Sequence, residues 1–187
     1  MDEPVTRRLR SDAARNRERL IESARKVSAA SGLDAPLEDI AAAADVSRTT
    51  LYRNFETREE LAAEVYEGNV ARIESRALEL ADRPDGILEL FDFVLDMQVD
   101  DRSIVQMLSR ADIHWFESLS KRTARAFDPL LAARVRAGVV AAGVVVSVVL
   151  LAFPMAGGVL ADPAPEGHDS DIQRMRVLLR RALFTSD

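Results

Sequence analysis

The residues best suited to chemistry stand together between positions 37 and 55, in the segment LEDIAAAADVSRTTLYRNF. Arg48, Thr49, Thr50, Tyr52, Arg53 and Asn54 are nearly consecutive, and every one carries a hydrogen-bond donor. Arginine pairs with guanine O6 and N7, asparagine with adenine N6 and N7, and a threonine methyl meets a thymine methyl. Leu51 and Phe55 are the apolar anchors of the stretch. With packing assigned to those two, the polar set has no structural duty beyond forming a solvated face.

The neighbouring elements position this set. Leu37, Ile40, Ala41 and Ala44 recur at i, i+3, i+4 and i+7, the buried stripe of a short helix. Pro36 opens that helix where its missing N–H costs nothing. Asp45 interrupts the pattern, and Ser47 supplies a side-chain oxygen to cap a second helix from Arg48 to about Asn54. Two short helices around a tight turn, the second with a hydrogen-bonding outer face, can enter a DNA major groove.

From Asn16 to about Ser75 the chain resembles the amino-terminal domain of the TetR/AcrR family of transcriptional repressors. Leu20-Ile21, Ala24, Gly32, Ile40-Ala41, Val46-Ser47, Thr50-Leu51-Tyr52, Phe55 and Arg58-Glu59-Glu60-Leu61 carry the resemblance, in the family's order and spacing. It implies that Tyr52 and Arg58 hold phosphates, fixing register without reading sequence. Three positions depart from the family pattern: Asp45 replaces a turn glycine, Thr49 a common glycine and Asn54 a common histidine. Aspartate tolerates left-handed backbone, so the turn is expected to survive; the other two changes bear on which sequence is read.

The net charge is −6, unfavourable for a nucleic-acid partner at first sight. The excess acid lies beyond Phe55, however, where the net is −7, against +1 for residues 1–55. DNA affinity must therefore come from locally placed arginines. The absence of cysteine excludes disulfides, thiolate metal sites and cysteine nucleophiles, and fits a cytoplasmic location. MDEPVTRRLR lacks the apolar run of a secretory signal. The two histidines, His114 and His168, form no metal-binding or catalytic motif; His168 is placed in a Pro/Gly loop. No enzyme activity, metal or cofactor is expected.

The periodicity predicts an all-α fold of about nine helices. Residues 1–14 form a flexible Arg-rich arm that reaches DNA or merely solubilises the chain. A three-helix DNA-binding domain covers 15–60, with its helix-turn-helix at about 37–56, and a helical ligand-binding and dimerisation domain covers 61–187. The first helix runs from about Ala13 to Ala30 and stops at Gly32, and Thr57-Arg58-Glu59-Glu60 caps a long fourth helix to about Leu80. Later helices are expected after Gly86, from Ser103 to Trp115, from about Ser120 with a kink or restart at Pro129, through the apolar segment to Leu160, and from Ser170.

Met107, Arg110, His114 and Trp115, with Phe93, Met97 and Phe127, are candidates for the wall of an apolar ligand pocket, although such residues at helical spacing are more often plain core. Residues 137–161 carry no charge over a length that could span a bilayer, but their glycines and Pro154 favour a buried or subunit-interface helix. Val145, Val149, Met175, Leu179 and Leu183 are the candidate dimer contacts. The leading reading is a ligand-released repressor, a homodimer on a palindromic double-stranded operator with an unknown small-molecule effector and no membrane partner. The alternative is a membrane-attached or protein-interaction module with a vestigial helix-turn-helix.

Overall fold

The structure, a computed structural model, describes the backbone of residues 3–32, 34–100, 114–138, 140, 143–160 and 168–184. The fold is all-α, with eight helices among the described residues: α1 (Glu3–Ser31), α2 (Leu37–Ala43), α3 (Arg48–Asn54), α4 (Arg58–Glu79), α5 (Gly86–Asp100), α6 (His114–Arg136), α7 (Val146–Leu160) and α8 (His168–Phe184). The chain divides into two units, Met1–Glu67 and Gly68–Asp187, so the division falls inside α4 rather than at residue 60.

The first unit is built on Leu20 and Ala24 of α1, Ile40, Ala41 and Ala44 around α2, Leu51 and Phe55 around α3, and Leu61 and Val65 of α4. These are the stripes that the helical spacing marks. Gly32, at φ +82°, ends α1 in a backbone conformation open to glycine. That helix starts well before Ala13, however. Pro4 falls in its first turn, where a missing N–H breaks no helical bond, and no breaker follows. The expected flexible arm is therefore helical from Glu3; Arg7, Arg8 and Arg10 lie outside the residues whose side chains are described.

The second unit packs Ile73 and Ala77 of α4, and Leu80 just past its end, with Ile87, Leu90, Phe91, Val94, Leu95 and Met97 of α5. Phe127, Leu130 and Leu131 of α6, Val149, Ala152, Phe153 and Ala156 of α7, and Leu183 and Phe184 of α8 complete its core. Phe91 anchors the centre, with Phe153 and Phe184 both at 5.4 Å between ring centroids. Gly86 allows the chain to reverse between α4 and α5: a Cβ there would lie 2.4 Å from the Leu80 carbonyl oxygen. Arg134 ties down the same turn through the Pro84 carbonyl at 3.2 Å and Asp85 at 2.7 Å.

Three helix boundaries differ from expectation. Pro129 lies inside α6, exposed, and the helix runs unbroken from His114 to Arg136, so no boundary stands near Ser120. Most of the helix expected from Ser103 to Trp115 lies outside the described residues. His168 opens α8 rather than sitting in a loop. The charge-free segment is divided by turns at Gly138 and Gly143, with φ of +71° and +82°, which leaves α7 only 15 residues. Among the described residues no helix is long and apolar enough to cross a membrane.

Candidate nucleic-acid interface

The turn between α2 and α3 is shaped by main-chain hydrogen bonds. Asp45 takes a left-handed conformation at φ 51°, and its N–H donates to the Ala42 carbonyl at 3.0 Å. The Val46 N–H donates to Ala41, also at 3.0 Å. Together these bonds form the Schellman motif, which satisfies carbonyls left open at a helix end. An aspartate fills the position that favours glycine because its short side chain tolerates this region and Arg19 holds it from α1, at 3.1 Å to the carboxylate and 3.3 Å to the carbonyl.

Ser47 then caps α3. Its Oγ accepts from the Thr50 N–H at 3.1 Å and lies 2.9 Å from the Thr50 hydroxyl. Leu51 and Phe55 are each 1% exposed, so α3 is pinned by two side chains one helical turn apart. Arg17 of α1 stacks its guanidinium 4.4 Å from the Phe55 ring centroid while pairing with Glu64 at 2.5 Å. The capping box expected at the start of α4 is present with one change: Thr57 Oγ1 accepts from the Glu60 N–H at 3.1 Å, but Glu60 reaches back to the Glu56 N–H, at 2.8 Å.

With that scaffold fixed, Arg48, Thr49, Tyr52 and Arg53 are exposed on α3, while Thr50 and Asn54 are half-buried. Tyr52 is 45% exposed although it is large and aromatic. Arg48 pairs with Glu38 of α2 at 2.6 Å. Asn54 donates one amide N–H to the Thr50 carbonyl at 2.7 Å, a bond that uses only one of the two N–H groups and not the amide oxygen. Arg58 is half-buried and donates to the Ala35 carbonyl at 2.5 Å, tying the start of α4 to the segment before α2. The six predicted α3 residues thus share one short helix, and Arg58 opens the next. Glu38 escaped the sequence reading, and Arg17 and Arg19, counted there with the Arg-rich arm, pair instead with Glu64 and Asp45, partners distant in the chain. Arg15 pairs with its neighbour Asp12, so Arg15, Arg17 and Arg19 are engaged within this unit rather than forming a free arm.

In the second unit, Met97 and Phe127 lie in the packed core, and Phe93 is half-buried with the Arg72 guanidinium 5.7 Å from its ring centroid. Met107 and Arg110 lie outside the described residues. His114 and Trp115 belong to the first turn of α6, and their side chains lie outside the description. Val149 and Leu183 are core residues, at 0% and 7% exposure. They are unavailable as interface contacts because α7 and α8 turn these positions toward Phe153 and Phe184. Met175 and Leu179 pack partly against the same core, and Val145 is exposed. The exposed apolar positions are instead Val148, Leu151 and Met155 on α7, with Val177 and Leu178 on α8.

A capped reading helix, a Schellman turn before it and a bundle of helices in a second unit define a helix-turn-helix DNA-binding regulator. Residues 20–65 match the family model described as bacterial regulatory proteins, tetR family. The chain is similar to the TetR transcription regulatory protein from Mycobacterium vanbaalenii, at 29% identity and a TM-score of 0.65, over 95% of this chain and 99% of that one. A TetR transcriptional regulator from Streptomyces coelicolor matches at 22% identity and a TM-score of 0.65, over 91% and 99% of the two chains. The transcriptional regulator FadR from Bacillus subtilis, solved in complex with stearoyl-CoA, matches at 14% identity and a TM-score of 0.67, over 88% and 98%. No curated protein sequence matches the chain. The amino-terminal domain is therefore a DNA-binding domain of the tetR type, and the chain has the fold of TetR transcriptional regulators.

Proposed function

We propose that the chain is a cytoplasmic repressor that binds a palindromic operator as a homodimer and leaves it when a small-molecule effector enters the second unit. The observation that carries this reading is the division of labour on α3. Leu51 and Phe55 supply the packing, and the exposed positions hold two arginines, a threonine and a tyrosine. Thr49, Arg48, Arg53 and Asn54 are assigned to base edges, with Thr50 at their margin, and Tyr52 and Arg58 to phosphates. One such helix reads only a half-site, so two copies related by a two-fold axis supply the affinity.

The effector reading is supported by the fold, since FadR was solved with a ligand bound. Helix α4 contributes to both units, so a ligand-dependent shift of its second half would be felt at Thr57 and Arg58. Selection of bound sequences from random duplex DNA tests the DNA reading. An inverted repeat should emerge; Tyr52→Ala should weaken all duplexes alike, whereas Arg48→Ala or Asn54→Ala should relax preference at particular base pairs. Parental operator affinity in Tyr52→Ala would place the reading surface elsewhere.

A further inference from the structure

The first turn of α3 has no apolar anchor of its own. Leu51 and Phe55 hold the second half of the helix, whereas Arg48 and Thr49 are exposed and Thr50 is half-buried. The direction in which these three residues point is therefore set by what precedes them, the Ser47 cap and the turn at Asp45. Among the described residues, Asp45 is the one residue other than glycine with a positive φ. A side chain crowds the backbone in that region, which glycine occupies freely.

Arg19 offsets that crowding from another helix. Its Nη2 donates to Oδ2 of Asp45 at 3.1 Å and to the carbonyl oxygen of the same residue at 3.3 Å. A single group thus ties both the side chain and the main chain of the turn residue to α1. Helix α1 is seated in turn by Leu20 and Ala24, and its Arg17 stacks on Phe55, just past the far end of α3. The Asp45 side chain is 96% exposed, so the pair relieves no burial and adds little to stability. What it supplies is direction, because it restricts the residue about which α2 turns into α3.

We propose that Arg19 is a positioning residue for DNA reading, holding the turn at Asp45, and through it Arg48, Thr49 and Thr50, without itself meeting DNA. The inference rests on the DNA reading of α3 above and adds to it a residue on a different helix. An arginine near a DNA-binding surface invites the simpler assignment of a phosphate contact. The two roles differ in what Asp45 does. A positioning arginine matters only while a carboxylate-bearing residue occupies the turn, whereas a phosphate contact matters whatever stands there. Glycine at position 45 removes the crowding and the carboxylate together, and the need for Arg19 should disappear with them.

Four full-length proteins test this on the selected operator and on random duplex DNA over a range of salt: the parent, Arg19→Gln, the double variant Arg19→Gln/Asp45→Gly, and Tyr52→Ala. Arg19→Gln uncovers a carboxylate that repels both kinds of duplex alike, so the readout is the preference for operator over random DNA. That preference should fall about threefold or more, at parental helix content and melting temperature. The double variant carries the parent's net charge and should recover the parent's preference, operator affinity and salt slope. An unchanged preference in Arg19→Gln overturns the proposal, whether or not the melting temperature falls. So does a double variant that binds both duplexes more weakly than the parent with a salt slope lower by about one, because Arg19 then meets a phosphate itself. If Arg19→Gln fails to fold, the double variant against the parent decides by the same criterion. Tyr52→Ala separates the two failures. Should it keep parental operator affinity, the reading of α3 falls and this role for Arg19 with it; should it weaken while Arg19→Gln keeps its preference, only Arg19 is removed.

Discussion

Arg48 opens α3 with an exposed guanidinium, and Glu38 holds it from the preceding helix at 2.6 Å. An exposed ion pair contributes little to stability, so the consequence to expect is on DNA rather than on folding. The carboxylate restricts the arginine rotamer and adds a negative charge beside a surface that must approach phosphates. Glu38→Gln keeps the length and removes the charge. The variant should bind random duplex DNA more tightly, steepen the salt dependence by about one phosphate contact, and relax preference at the base pair read by Arg48. Titrations at several salt concentrations with selected and random duplexes measure all three. An unchanged slope and unchanged preference would mean that Arg48 leaves Glu38 on binding and that the pair plays no part in readout. Asn54 illustrates a different constraint. It spends one N–H on the Thr50 carbonyl, yet an adenine needs only one donor and one acceptor, so the amide keeps the groups that the proposed base contact requires.

At the scale of elements, the turn at Gly86 and the Arg122–Glu74 pair make separable contributions to the second unit. Any Cβ at Gly86 meets the Leu80 carbonyl oxygen at 2.4 Å and Leu130 Cδ2 at 3.2 Å, and the first of these is main chain that cannot swing aside. Gly86→Ala should therefore lower unfolding free energy by about 1–3 kcal/mol, seen as a lower urea midpoint at unchanged slope. Arg122 forks onto Glu74 through Nε at 2.8 Å and Nη2 at 2.6 Å, and that hydrogen bonding holds the Glu74 carboxyl below its ordinary value of 4.5. A depressed folded value means that this contribution is present above about pH 4.5 and is lost as pH falls through the folded value. Glu74→Gln should destabilise at neutral pH by no more than about 1 kcal/mol, as the pair is partly exposed, and should flatten the stability loss below that pH. Parallel urea curves for parent and variant from neutral to acid pH would contradict the assignment. What could be read from sequence was local: the Ser47 cap, the Leu51 and Phe55 anchors and the stop at Gly32 each depend on neighbours within a turn. The run of α6 through Pro129 could not be read, because a proline that removes one helical hydrogen bond on an exposed face gives no local sign of whether the helix continues or breaks. Glu38 with Arg48 and Arg17 with Phe55 were equally hidden, since no local pattern fixes a pairing across elements.

At the scale of the whole molecule, assembly turns on which side of α7 is covered by its own chain. Sequence cannot decide this, because α7 is apolar on every side and its periodicity names no face. The structure separates two stripes: Val149, Ala152, Phe153 and Ala156 are buried in the core, while Val148, Leu151 and Met155 are exposed. Helix α8, packed against α7, adds Val177 and Leu178 at 48% and 67% exposure. Five exposed apolar side chains on two adjacent helices form the kind of patch that a second copy would cover, giving a four-helix interface under two-fold symmetry. The informative substitutions therefore lie at Leu151 and Leu178 rather than at Leu183 or Val149, where a charge would disrupt the protomer's own core. Leu151→Glu and Leu178→Glu should retain parental helix content, sediment as monomers, and lose operator affinity by about a hundredfold or more, because each reading head then binds its half-site without the effective concentration of its mate. Binding to an isolated half-site should remain as weak as in the parent, separating loss of assembly from damage to α3. A Leu151→Glu protein that sediments as a dimer and holds its operator would move the interface off this patch, and the exposed stripe would then need another partner to cover it.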